Sequence, residues 1–237
     1  MKSRIQIHIL TLAACLSAST ATFAADVVGQ AGPLGGQTPQ SPAEGGCGEL
    51  LINADGTYEM PYAWQYSGVV PPDWGSFAEC YEGEFAVCAV TIDLVQTGDQ
   101  NGQTMDVYVW DDEGGEPGAV LCVEPGVDPG PVAFWPSVSR HEITLGEPCC
   151  TGEAWWVGYW PDWPGDRSAW FLAGDLDGFD GCPLTKVAPG IGFPTGWQNV
   201  SVIWGPTQAM GLGALVQPCE PTPTLQSGWG AIKTLYR

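Results

Sequence analysis

Phe85-Ala-Val-Cys-Ala-Val-Thr-Ile-Asp-Leu-Val95 is followed, after a polar turn, by Met105-Asp-Val-Tyr-Val-Trp110. A second turn, Asp111-Asp-Glu-Gly-Gly-Glu-Pro-Gly118, leads into Ala119-Val-Leu-Cys-Val123. In the first run Ala86, Cys88, Val90, Ile92 and Leu94 are apolar, while Thr91 and Asp93 fall in the other phase. In the second, Met105, Val107 and Val109 alternate with Asp106, Tyr108 and Trp110. Successive side chains of a strand point to opposite faces, so a period of two with a mixed outer phase predicts half-buried strands. Three such strands joined by Gly, Asp and Asn turns predict an antiparallel meander on which the rest of the domain packs.

Outward from the meander the same pattern continues. Gly48-Glu-Leu-Leu-Ile52 and Thr57-Tyr-Glu-Met-Pro-Tyr-Ala-Trp64 read as strands separated by the turn Asn53-Ala-Asp-Gly56. Val69-Val-Pro-Pro-Asp-Trp-Gly75 reads as a loop, because proline cannot donate to a central ladder. Strand character resumes over 76–81, and 124–136 reads as loop. Arg140-His-Glu-Ile-Thr-Leu145 alternates, 153–160 and 168–173 are aromatic strands, and 174–196 reads as a long irregular connection. Asn199-Val-Ser-Val-Ile-Trp204 alternates as a strand, and 209–217 closes the domain. About ten short strands with no amphipathic helical run predict an all-β fold: an antiparallel two-sheet sandwich of jelly-roll type.

Composition agrees. Glycine (33) and proline (21) are abundant, yet 44% of residues are hydrophobic and 12 are tryptophan, too much apolar material for disorder. Residues 1–24 read as a signal peptide: Lys2 and Arg4 precede an apolar stretch, and Thr22-Phe23-Ala24 suits cleavage before Ala25. That stretch is too short and interrupted to span a membrane. Leu12-Ala-Ala-Cys15 supports a rival reading, a lipobox that would leave the protein lipid-anchored through Cys15. Residues 25–46 read as a flexible Gly/Pro/Gln linker, 47–219 as the sandwich domain, and 220–237 as a Pro/Thr linker with a short aromatic-basic tail. The tail's apolar Trp229, Ile232, Leu235 and Tyr236 lie beside Lys233 and Arg237, a spacing suited to an amphipathic turn or an added edge strand.

Eight cysteines lie beyond the leader: Cys47, Cys80, Cys88, Cys122, Cys149, Cys150, Cys182 and Cys219. An even number behind a signal peptide predicts disulfides in an oxidising compartment. Cys47 and Cys219 bracket the domain and suggest a clasp. No Cys-x-x-Cys spacing occurs, which argues against zinc. The 27 acids outnumber 7 basic residues for a net charge of −20, which makes nucleic acid and anionic membranes poor partners.

Thr57-Tyr58-Glu59 through Trp64, together with the meander and its acidic Gly-rich turn, is similar to accessory jelly-roll-like β-sandwich domains of secreted bacterial proteins. The nonapeptide 229–237 resembles their C-terminal sorting or attachment tails. The resemblance implies a secreted or cell-surface module for adhesion, surface display or glycan contact, and it brings no catalytic residue.

For chemistry, the richest stretch is aromatic. Trp155 and Tyr159 share one strand face and Trp156 and Trp160 the other, with Trp163 and Trp170 close behind. One set belongs to the core; the other can form a stacking platform for sugar rings, with Asp162 and Asp166 nearby for hydroxyls. In Gly174-Asp175-Leu-Asp177-Gly-Phe-Asp180-Gly181, the carboxylates of Asp175, Asp177 and Asp180 offer the hard oxygens that calcium takes. The EF-hand spacing is absent, and solvated Asx turns explain the loop equally. No other cofactor is indicated. Glycoside hydrolysis is the enzyme alternative, with Glu142 and Glu153 as the carboxylates to test. His141, on an apolar phase, reads as a packed histidine. The expectation is a non-enzymatic module for adhesion, surface attachment or extracellular structure, with carbohydrate binding as its principal alternative.

Overall fold

The computed structural model describes residues 28–39, 48–65, 73–163 and 169–219. Its first strands are β1 (Val28–Gln30), β2 (Glu49–Ile52), β3 (Met60–Trp64) and β4 (Phe77–Glu82). The meander follows as β5 (Ala86–Gln96), β6 (Met105–Asp112) and β7 (Pro117–Val127). Then come β8 (Ser139–Cys150), β9 (Ala154–Pro161), β10 (Trp170–Asp175), β11 (Leu184–Val187) and β12 (Gly196–Asn199). A single helical turn, α1 (Val200–Trp204), precedes β13 (Ala209–Met210) and β14 (Leu212–Gln217).

These strands form two antiparallel sheets. One runs β12-β11-β4-β9-β6-β7. The other runs β1-β3-β10-β5-β14-β2, with β8 added to β5 and β13 to β10. The meander is thus split: β6 and β7 pair as a hairpin, but β5 belongs to the opposite sheet, as its central strand. Between the sheets lies the main core. It takes Val90, Ile92 and Leu94 from β5, Val107 and Val109 from β6, Trp155, Val157 and Tyr159 from β9, and Leu212 and Val216 from β14.

The outer face of β5 is covered too, so the strand is buried throughout and not half-buried. A second, smaller core of Leu34, Tyr58, Val95, Val138 and Phe171 lies there. Asp93, fully buried, is satisfied by bidentate hydrogen bonds from Arg140 at 2.8 and 2.7 Å and by the Tyr58 hydroxyl. A buried carboxylate needs such partners, and the Asp in the polar phase of β5 marks this ion pair, not solvent.

Several sequence expectations need correction. The spacer expected over 25–46 is partly seated: β1 pairs with β3, Leu34 is buried, and Gln37 bridges Tyr58. Val28 and Leu34 supply the apolar anchors. Residues 124–127 extend β7, and 184–187 form β11 within the expected irregular connection. The strand expected over 199–204 is instead the helical turn α1, because the Asn199 side chain accepts from the Ser201 N–H at 2.9 Å and caps it. Cys219 bonds Cys150, so the Cys47–Cys219 clasp does not form. Cys80 bonds Cys182 and Cys122 bonds Cys149, the latter stapling one sheet to the other. Cys88 is also disulfide-bonded. The leader with Cys15, Cys47, Asp166 and the tail lie outside the described residues.

Candidate functional site: an aromatic groove on the six-stranded sheet

β9 lies inside its sheet, between β4 and β6, with aromatic neighbours on both faces. Trp155, Trp156, Tyr159, Trp160 and Trp170 are therefore 0–8% exposed, and the stacking platform expected from them does not exist. Trp155 faces the inner core and donates to the Gly83 carbonyl at 2.8 Å. Trp156 and Trp160 face outward, yet other groups cover them: Trp156 donates to Asp112 at 2.8 Å and Trp160 to the Trp74 carbonyl at 3.0 Å. Trp163, half-buried, meets Trp170 edge-on at 5.5 Å. The space beside them is about 10 Å³, room for one water and not for a sugar ring. Asp162 accepts from the Thr104 hydroxyl at 2.8 Å.

A groove stays open elsewhere on this sheet's outer face. Gly158 of β9 and Ala78 of β4 are paired and small, while Tyr108 and Trp110 of β6 stand beside Gly158 and Trp156. Gly158 is obligatory there: a Cβ would meet the Phe77 carbonyl oxygen at 1.9 Å. Tyr108 and Trp110 stack at 4.9 Å with planes 10° apart, and Trp197 of β12 meets Trp110 edge-on at 5.7 Å. The buried Trp110 and Trp197 form the base; the half-buried Tyr108 and the exposed Val120 form the rim of a groove of about 350 Å³. Its polar wall is Lys186, whose Nζ donates to Asp73 at 2.7 Å and lies 5.4 Å from the Trp74 ring centre and 5.5 Å from that of Trp197. The ammonium is thus held between two ring faces by their negative quadrupoles. Asp73 has φ of 53°, the one non-glycine with a left-handed backbone among the described residues. Burial, then the charges of Asp106 and Asp73, pushes the Tyr108 hydroxyl up to about 12, so it stays a neutral donor and acceptor.

A second cluster gathers carboxylates. Glu59, Asp175 and Asp177 each offer an oxygen within 4.8 Å of the others, and these three could hold a cation. Two of the three residues expected at this loop are present; Asp180 is outside the group, and Glu59 arrives from the segment before β3. Asp175 is buried and accepts from the Asp55 N–H at 2.8 Å and the Asp177 N–H at 3.1 Å. Gly178 passes so close that a Cβ would meet the Asp175 carboxylate at 2.2 Å. Burial, with the charges of Asp177, Asp175 and Asp55, raises the Glu59 carboxyl against the lowering Leu176 N–H.

The remaining candidates separate. Glu142 sits in β8 and Glu153 before β9, in different sheets. His141 is packed: Nδ1 donates to the Pro129 carbonyl at 2.8 Å, Nε2 accepts from Ser139 at 2.7 Å, and burial lowers its pKa. Sequence reasoning missed Asp73, Lys186 and Trp197 as groove residues. A signal did exist, since Tyr108 and Trp110 occupy the outer phase of β6 and Lys186 is one of very few basic residues in the domain. The chain matches no family model, no curated protein and no solved structure.

Proposed function

We propose that this is a secreted, non-enzymatic β-sandwich that attaches to extracellular surfaces by holding a sugar unit in the groove of Tyr108, Trp110 and Trp197. One observation carries the reading: an open groove of about 350 Å³ with an aromatic base, closed on one side by the Lys186–Asp73 pair. Ligand sites have this make-up, mostly apolar and aromatic with a few convergent polar groups. The weakly positive C–H face of a pyranose suits the negative face of Tyr108, the half-buried ring of the groove. Its hydroxyls can donate to Asp73 and accept from Lys186. The left-handed Asp73 supports the same reading, since backbone outliers gather at ligand clamps. A paired acid and base suits binding better than hydrolysis, which needs two carboxylates facing across the bond. Calcium held by Glu59, Asp175 and Asp177 belongs to the proposal as a structural ion.

Affinity electrophoresis and a glycan array test it. The protein is retained by one glycan class, and Tyr108→Ala or Lys186→Ala weakens retention about tenfold, roughly 1.4 kcal/mol. No retention on any glycan by the intact protein sinks the reading.

A further inference from the structure

Among the described residues β7 ends its sheet, paired with β6 alone, and β8 is likewise paired on one side, with β5. Along the free edge Val120, Leu121 and Val123 are 51, 38 and 44% exposed; Val120 and Val123 stand opposite Trp110 and Tyr108 on the outer face, with Leu121 at a bulge between them. Bare apolar edges template pairing with any extended chain, and proteins cover or charge them. Between β7 and β8 a groove of about 340 Å³ opens, with Val123 and Leu145 as its apolar wall and Glu124 and Glu147 as its acidic one. Neither β7 nor the part of β8 beyond Arg140 carries a Lys or Arg, and Glu113 and Glu116 stand exposed at the hairpin tip. A strand that fits must therefore be apolar and basic. A second β7 does not qualify, because it would bring acids against acids.

Apart from the leader expected over 1–24, one segment outside the described residues is of this kind. In Trp229-Gly-Ala-Ile-Lys-Thr-Leu-Tyr-Arg237, Ile232, Thr234 and Tyr236 fall in one phase and Lys233, Leu235 and Arg237 in the other. Its β-branched and aromatic residues favour strands. The disulfides deliver it to the right place. Cys219 is bonded to Cys150, the neighbour of Cys149, which is bonded to Cys122 in the middle of β7. The Cα separations, 5.7 and 6.2 Å across the two bridges, put Cys219 at most about 16 Å from Cys122. The nine residues 220–228 reach about 30 Å when extended. We infer that residues 229–237 add as an extra strand to the free edge of β7 in their own chain, the apolar side chains on Val120, Leu121 and Val123 and the basic ones against Glu124 and Glu147. Main-chain pairing supplies the affinity in such strand addition, and the side-chain pockets supply the specificity.

Hydrogen exchange of the 117–127 amides tests this, comparing the full chain with one ending at Gly228. Truncation speeds exchange there about tenfold while other strands are unchanged, and the synthetic nonapeptide 229–237 restores protection to the truncated chain. Lys233→Glu with Arg237→Glu in the full chain reproduces the truncation at low salt. Unchanged exchange of β7 on truncation overturns the inference. So does protection that rises with protein concentration alongside sedimentation as a dimer, which would make a second copy's tail the occupant.

Discussion

Glu79 illustrates what a single residue can hide. On β4 it reads as an ordinary acid between Ala78 and Cys80, yet it is fully buried between the sheets. Its carboxylate accepts from the Cys182 N–H at 2.6 Å, the Met210 N–H at 2.9 Å and the Asn53 amide at 3.0 Å. Those donors lie 103, 131 and 26 residues away, so nothing local announces the site. Burial pushes its pKa from 4.5 up to about 7, opposed by the three donors. The folded protein thus binds this proton more tightly than the unfolded chain. The group's contribution is full below pH 4.5 and is lost as pH rises through about 7. We expect about 3 kcal/mol of stability to disappear across that window on account of Glu79. Urea unfolding of wild type and Glu79→Gln at both ends of it isolates the effect; equal slopes for the two proteins contradict the assignment. Asp93 shows the converse, a polar residue legible in the pattern whose partner Arg140 only the fold supplies.

At the scale of elements, alternation located most strands, because a period of two is a property of the strand itself. It could not say how many faces a strand buries. β5 and β9 carry the most suggestive outer phases, and neighbouring elements cover both. Disulfide connectivity was equally out of reach, since spacing along the chain does not measure distance across it. The bridges give an ordered prediction. Cys80–Cys182 closes a loop of 102 residues and Cys122–Cys149 one of 27. Loop entropy assigns them about 5 and about 3.5 kcal/mol respectively. Calorimetry of Cys80→Ala/Cys182→Ala and Cys122→Ala/Cys149→Ala should find the first pair the less stable. A reversed order would place the stabilisation in the seam between β7 and β8 and not in loop closure.

For the whole molecule the dominant fact is charge. A net −20 strains the compact state by self-repulsion, and the ion pairs among the described residues are Arg140–Asp93 and Lys186–Asp73. Screening should therefore raise the thermal midpoint as sodium chloride increases. Calcium at equal ionic strength should raise it further through Glu59, Asp175 and Asp177, by adding about 2.7 kcal/mol of stability at a hundredfold excess over its dissociation constant. Asp177→Asn should abolish only that extra increment. If the two salts act alike on the wild type, the carboxylate cluster is a solvated turn.

The sequence by itself determined the class of the fold: two-residue periodicity, turn chemistry and scarce helix signals are local, and each is written in a few consecutive residues. It also marked the chain as acidic and rich in cysteine. Only the tertiary structure decided which tryptophans are covered, which cysteines meet, which acids converge and where an aromatic groove stays open. Those properties depend on strands far apart in the chain lying side by side, and burial is set by the neighbour across the sheet, not by the neighbour in sequence.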